Sequence, residues 1–204
     1  MQFNPSTHIP VMEHFYTIQG EGFYAGHAAY FIRLAGCDVG CVWCDVKESW
    51  TVEERQLVLI EDLINEILKY PARLIVITGG EPLMYDLNFL TKALKDKGFK
   101  INIETSGAYP LSGDLDWICV SPKKFKAPLK EVLARANELK CIIFHKNDFK
   151  FAEENRELTT ANCKLYLQTE WSKREQMLPL IVDYVKEHPD WNRSLQTHTY
   201  LDIP

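Results

Sequence analysis

The run RLIVITGG (73–80) constrains the fold more than any other stretch of this chain. Its consecutive aliphatic residues, closed by Thr78, Gly79 and Gly80, suit a short strand covered on both faces, as in a parallel sheet. AAYFIRLAG (28–36), FKINIETSG (99–107), DWICVSP (116–122), KCIIFH (140–145) and KLYLQTE (164–170) continue the strand series, and HFYTI (14–18) precedes it. Between them the periodicity predicts helices near 57–70, 84–97 (stopped by Gly98), 128–138 and 172–187, and a shorter one around 149–157. Such alternation implies a mostly parallel α/β sheet with right-handed crossovers. An eight-stranded barrel typically needs about 250 residues. The 204 residues here therefore predict a partial, open barrel, and the lack of a repeat or linker predicts a single domain over 1–204.

Four polar tips, TGG (78–80), ETSG (104–107), SPK (121–123) and QTE (168–170), fall at strand C-terminal ends. Taken singly, each is an ordinary turn or cap; converging on one edge of a parallel sheet, they form a binding mouth. The net charge of −5 argues against a surface that wraps nucleic acid. No apolar run approaches the roughly 18 residues of a membrane helix. The opening MQFNPSTHIP lacks the basic and apolar regions of a signal peptide, so the expectation is a cytoplasmic protein with no membrane partner.

Cysteine is used sparingly and unevenly. Cys119, Cys141 and Cys163 stand alone in apolar strand-like runs, where cysteine serves as a small buried hydrophobe. Cys37, Cys41 and Cys44 are crowded into GCDVGCVWC with C-x3-C-x2-C spacing. A closed zinc site needs a fourth ligand, and His14, His27 and His145 show no recognisable pair spacing to the trio. A four-iron cluster held by three thiolates instead leaves one iron open to a chelating cofactor. The residues themselves leave both options standing.

The pattern C37-D-V-G-C41-V-W-C44, with Trp43 before the last cysteine and TGGEP (78–82) downstream, resembles the radical S-adenosylmethionine (SAM) superfamily. The resemblance implies a partial, open (β/α)6-type TIM barrel, a [4Fe-4S] cluster on the three cysteines, and SAM on the vacant iron. It implies SAM contacts from Trp43, Asp45, Gly80, Glu81, Ser106, Ser121, Pro122, Lys123 and Gln168.

FYTIQGEGFYAGHAAYFIRLAGC (15–37), together with ETSG, SPK and the final Ile-Pro, is similar to the 7-carboxy-7-deazaguanine synthase family over nearly the whole chain. That family is a radical SAM lyase of the queuosine-precursor pathway. It converts 6-carboxy-5,6,7,8-tetrahydropterin to 7-carboxy-7-deazaguanine with loss of ammonia, and regenerates SAM. The resemblance implies substrate contacts from the backbone of Ile18 and Gly20, from Gln19 and Thr78, and from the terminal carboxylate of Pro204. Glu21 suits the amide-and-amine edge of a pterin, and Arg33 suits its carboxylate bidentately. It further implies a homodimer and a one-electron donor such as a flavodoxin. One position departs from the pattern. The family often holds Mg²⁺ through a threonine directly after the Asp that follows the third cysteine, and Val46 occupies that place. Valine offers no oxygen, so Asp45, Ser49, water or substrate would have to supply the hard ligands that Mg²⁺ requires. The rival readings are a small radical SAM activase that generates a glycyl radical on a partner enzyme and a non-catalytic iron–sulfur or zinc module. The first is disfavoured by the Gln-Gly-Glu-Gly lead-in, the second by TGGEP and SPK.

Overall fold

The computed structural model describes residues 3–44 and 46–204. Strands β1 (His8–Ile18) and β2 (Ala28–Leu34) form an antiparallel pair, with Phe15 opposite Phe31. The remaining elements are β3 (Leu57–Leu59), α1 (Ile60–Ile67), β4 (Leu74–Gly79), α2 (Asn88–Asp96), β5 (Lys100–Thr105) and β6 (Trp117–Val120). They continue through α3 (Lys130–Leu133), β7 (Glu138–Ile143), α4 (Asp148–Arg156), β8 (Lys164–Thr169), α5 (Arg174–Glu187), β9 (Trp191–Arg193) and α6 (Thr197–Leu201). One sheet runs in the order β3-β1-β2-β4-β5-β6-β7-β8-β9. From β2 onward every neighbour is parallel, whereas β1 is antiparallel to both β2 and β3. With β3 and β9 at its two edges, the sheet is mixed and open, the partial barrel that the βα alternation predicts. Among the described residues, no helix is long and apolar enough to cross a membrane.

The strands divide their side chains by the two-residue period of the pleat. Ile75, Ile77, Ile101, Ile103, Leu139, Cys141 and Ile143 join Leu90 and Leu94 of α2 in the main core. Each fully buried side chain of this size contributes about 1.5–3 kcal/mol. The alternate residues turn to the concave face, where Leu74 and Val76 pack with Tyr24 and Ala29 and where Thr78, Glu104 and Lys140 line a cavity. The cysteines outside the crowded triplet behave as small hydrophobes: Cys119, Cys141 and Cys163 are buried and unpaired.

Several boundaries differ from the sequence pattern for local reasons. The helix expected over 57–70 starts only at Ile60, because Leu57–Leu59 pairs with His8–Pro10 as an edge strand. The helix expected from 84 starts at Asn88, after Asp86 accepts the Asn88 amide and side chain in a local turn. The helix expected over 128–138 shrinks to Lys130–Leu133. Asn137 is drawn onto β6 at the start of β7 instead, donating to Ile118 O at 3.0 Å and accepting from Ile118 N at 2.8 Å. β9 and α6 carry no periodic apolar signature; β9 is placed by its pairing with β8 and by the Trp191 side chain. Trp191 is fully buried and donates its indole N–H to Glu153 at 2.8 Å, beside the Tyr184 hydroxyl at 2.6 Å on the same oxygen. Trp191→Ala should therefore cost roughly 3–5 kcal/mol of stability, read as a lowered urea midpoint. A loss within the noise of the measurement would show that β9 adds nothing to the fold.

Candidate active site

At the C-terminal ends of the parallel strands a cavity of about 300 Å³ opens. The cysteine loop forms one part of its wall. It leaves β2 at Ala35 and is stitched back by Gly36 N–H to Ser49 O (2.6 Å) and Cys37 N–H to Trp50 O (3.3 Å). The tip of β4 grips the loop's root through Gly80 N–H to Leu34 O and Glu81 N–H to Gly36 O, both 2.9 Å. Only glycine fits at position 80, because a Cβ there would collide with the Gly36 carbonyl and press on Cys37. Cys37, Cys41 and Cys44 all face the cavity.

Among the described residues, no three His, Cys, Asp or Glu side chains converge as a single metal ion needs. Three cysteines lining one cavity suit a cluster, where each thiolate takes a different iron. Burial pushes the Cys37 and Cys41 thiols above the ordinary range. Ligation would therefore displace their protons.

Glu81 is fully buried, and its carboxylate accepts from Leu83 N–H (3.0 Å), Thr105 Oγ1 (2.5 Å), Ser106 N–H (2.8 Å) and the Ser106 hydroxyl. Beyond it, Ser121 accepts from Lys123 Nζ at 2.6 Å, and the same ammonium lies 5.4 Å from the Trp43 ring centre. Burial pushes Lys123 below the usual lysine range, against the opposing pull of Cys41. Val46 lines the cavity with no oxygen in its side chain. Its carbonyl accepts from the buried Ser49 hydroxyl at 2.7 Å, and Ser49 also faces the cavity. Pro122 is buried but does not line the cavity, and Asp45 lies outside the described residues.

The loop between β1 and β2 brings Ile18, Gln19, Gly20 and Glu21 to the same space. Gln19 donates to Glu104 at 2.8 Å and accepts the Glu21 amide at 3.0 Å. Lys140 is only 3% exposed and ion-pairs with both Glu21 and Glu104, the latter at 2.9 Å. Burial pushes the Glu21 carboxyl up, but the Lys140 charge and the hydrogen bonds from Lys140 and Gln168 more than offset it, so the group sits below its ordinary range. Gln168 is itself held by the Ser194 hydroxyl at 2.7 Å. Arg33 faces Thr78 across the β2–β4 register and gives its Nε–H to Glu13 at 2.6 Å. Pro204 also reaches the cavity, with its backbone oxygen accepting from Thr17 Oγ1 at 3.1 Å.

Apart from Pro122 and Asp45, every cluster, SAM and substrate residue expected from the resemblance lines this one cavity. Sequence reasoning missed Lys140 and His198. Lys140 had a signal, since E138-L-K140 puts two charges at two-residue spacing inside an otherwise apolar strand, which is rare unless the charges are paired. His198 had none, because α6 is placed by Thr197 donating to Gly20 O through both its amide (3.0 Å) and its hydroxyl (2.9 Å).

The radical SAM superfamily model matches residues 31–144. The 7-carboxy-7-deazaguanine synthase of Flavobacterium psychrophilum is 55% identical over 196 residues, covering 96% of this chain and 93% of that protein. The enzyme of the same name from Synechocystis sp. is 46% identical over 194 residues, with 95% and 93% coverage. The crystal structure of QueE from Escherichia coli matches with a TM-score of 0.84 at 33% identity, over 92% of this chain and 93% of that one. By sequence and by fold, the chain belongs to the 7-carboxy-7-deazaguanine synthase family of the radical SAM superfamily.

Proposed function

We propose that this chain is a radical SAM carbon–nitrogen lyase that converts 6-carboxy-5,6,7,8-tetrahydropterin to 7-carboxy-7-deazaguanine with loss of ammonia. The observation that carries the reading is that one cavity holds both the cysteine trio and the Gln19–Glu21–Arg33 group. Near-full-length relatives of one name disfavour a glycyl-radical activase or a bare metal module. Superfamily membership brings a [4Fe-4S] cluster and SAM as cofactors. When bound, they supply reductive C–S cleavage and a hydrogen-abstracting radical, chemistry that no side chain offers.

In this reading Cys37, Cys41 and Cys44 hold the cluster. Glu81 has its lone pairs engaged, so it would serve SAM by fixing the Gly80 backbone and Ser106 rather than by offering a free carboxylate. Trp43, Ser121 and Lys123 line the SAM side; Pro122 and Asp45 are assigned by resemblance alone. Gln168, held by Ser194 near Glu21, would bridge the two ligands. Glu21 would accept the pterin's amide-and-amine edge, with Gln19 and the backbone of Ile18 and Gly20 addressing the rest of the ring. Arg33, anchored at Nε by Glu13, would turn its remaining N–H groups to the substrate carboxylate beside Thr78 and Pro204. The rest of the reading is a single domain over 1–204, a cytoplasmic homodimer and a flavodoxin-type electron donor. Light scattering on the purified protein checks the dimer.

Anaerobically reconstituted protein given SAM, a reductant and carboxytetrahydropterin should form carboxydeazaguanine without stoichiometric consumption of SAM. Cleavage of SAM with the pterin untouched would remove the substrate assignment and leave the superfamily chemistry. Cys41→Ala should lose the cluster's visible absorbance and all SAM cleavage while keeping its circular dichroism; retained cleavage would show that Cys41 is no ligand. Because Val46 offers no oxygen, turnover of the native protein should respond weakly to Mg²⁺, and Val46→Thr should gain a response. A strong response in the native protein would place the metal on other ligands, such as Ser49.

A further inference from the structure

We propose that Lys140 is a positioning residue that holds Glu21 as an aimed, ionised acceptor for the substrate's N–H edge, with Glu104 and Gln19 fixing the lysine in place. The inference rests on the substrate reading above and deepens it. Lys140 projects from the cavity face of β7 and is nearly inaccessible to water, yet it carries a charge. Such a charge persists only when paired and hydrogen-bonded. Here it has two carboxylate partners of different kinds. Glu104 is tied down on its other oxygen by Gln19 at 2.8 Å. Glu21 sits on a loop and lines the cavity, and its amide is held by the same Gln19 side chain at 3.0 Å. A ligand that donates two N–H groups can thus share Glu21 with Lys140 while Glu104 continues to compensate the ammonium.

The groups facing this pair are Glu104 on β5, Cys119 on β6, Lys123 just after β6, Glu138 on β7, Gln168 on β8 and His198 on α6. Burial alone pushes Glu21 toward the neutral acid, and Lys140 is the first of the forces opposing it. A neutral Glu21 would present a hydroxyl where the ligand needs an acceptor.

The test is calorimetric titration of cluster-loaded protein with 6-carboxy-5,6,7,8-tetrahydropterin in the presence of SAM and without reductant, so that no turnover occurs. Lys140→Met should weaken substrate binding at least about tenfold near neutral pH, the loss of one or more charge-assisted contacts. The deficit should shrink as pH rises and Glu21 ionises, while SAM affinity holds. His198 is present in both proteins, so the difference between their pH curves isolates Lys140. The double variant Lys140→Met with Glu104→Gln removes one charge of each sign and guards against misfolding. It should keep the same pH-dependent deficit. Wild-type affinity in the double variant would reduce Lys140 to a counterion for Glu104 and overturn the inference. So would a pH-independent loss shared equally by SAM. Failure of the wild-type protein to bind the pterin would overturn the substrate reading itself, and the inference with it.

Discussion

Glu81 accepts its four hydrogen bonds where water does not reach, and the geometry of the cavity follows from that arrangement. Two donors, Thr105 and Ser106, sit at the tip of β5, and the Glu81 amide reaches Gly36 at the root of the cysteine loop. One residue therefore locks two strand ends and the loop into a fixed relation. Hydrogen bonds to a charged group contribute about 1.5–3 kcal/mol each, and removing the acceptor leaves several buried donors unsatisfied. The Gly-Gly before it is the steric counterpart. The backbone of β4 can approach Leu34 and Gly36 closely only because neither position carries a Cβ.

The open sheet explains why charged groups gather where they do. On β5 and β7 one face must meet the helices and is uniformly apolar, as Ile101, Ile103, Leu139 and Ile143 show. The opposite face lines the cavity at its C-terminal end. Polar residues can turn inward there without crowding a core, and Glu104, Lys140 and Gln168 do so. A closed eight-stranded barrel would fill that interior with side-chain layers. The shorter, unclosed sheet leaves the space to ligands.

Much of this was legible in the sequence because it rests on patterns that backbone geometry enforces. RLIVITGG, KINIETSG and KLYLQTE gave their strands and their polar tips, and the cysteine spacing with GGEP gave the site. What stayed hidden depends on partners far along the chain. Leu57–Leu59 looks helical until β1 is available to pair with it, and α3 is short because Asn137 finds Ile118. Trp191 reads as one aromatic in a polar stretch, and nothing local says that Glu153 waits for its indole. Lys140 lay between these cases: its oddness was visible, whereas its two partners, 36 and 119 residues away, were not.

The Gln-Gly-Glu-Gly lead-in shows how a motif acquires meaning only in three dimensions. As a sequence it reads as a turn. In the fold its glycines are the points where the loop is wedged between two elements. A Cβ at Gly20 would overlap the His198 ring on α6, and one at Gly22, where φ is +64°, would overlap the Glu138 carboxylate on β7. Glu138 also accepts the Phe23 amide (3.3 Å) and the Trp117 indole N–H (2.9 Å), so the strand fastens the loop from below. The Ser194 hydroxyl takes the Gly22 amide at 3.0 Å and ties the loop to the segment after β9. With both neighbours in direct contact, the residue between the glycines has little freedom in direction. Glu21 points at Lys140 because the two flanking positions carry no side chain, and any substitution at Gly20 or Gly22 would move a charge as well as a loop.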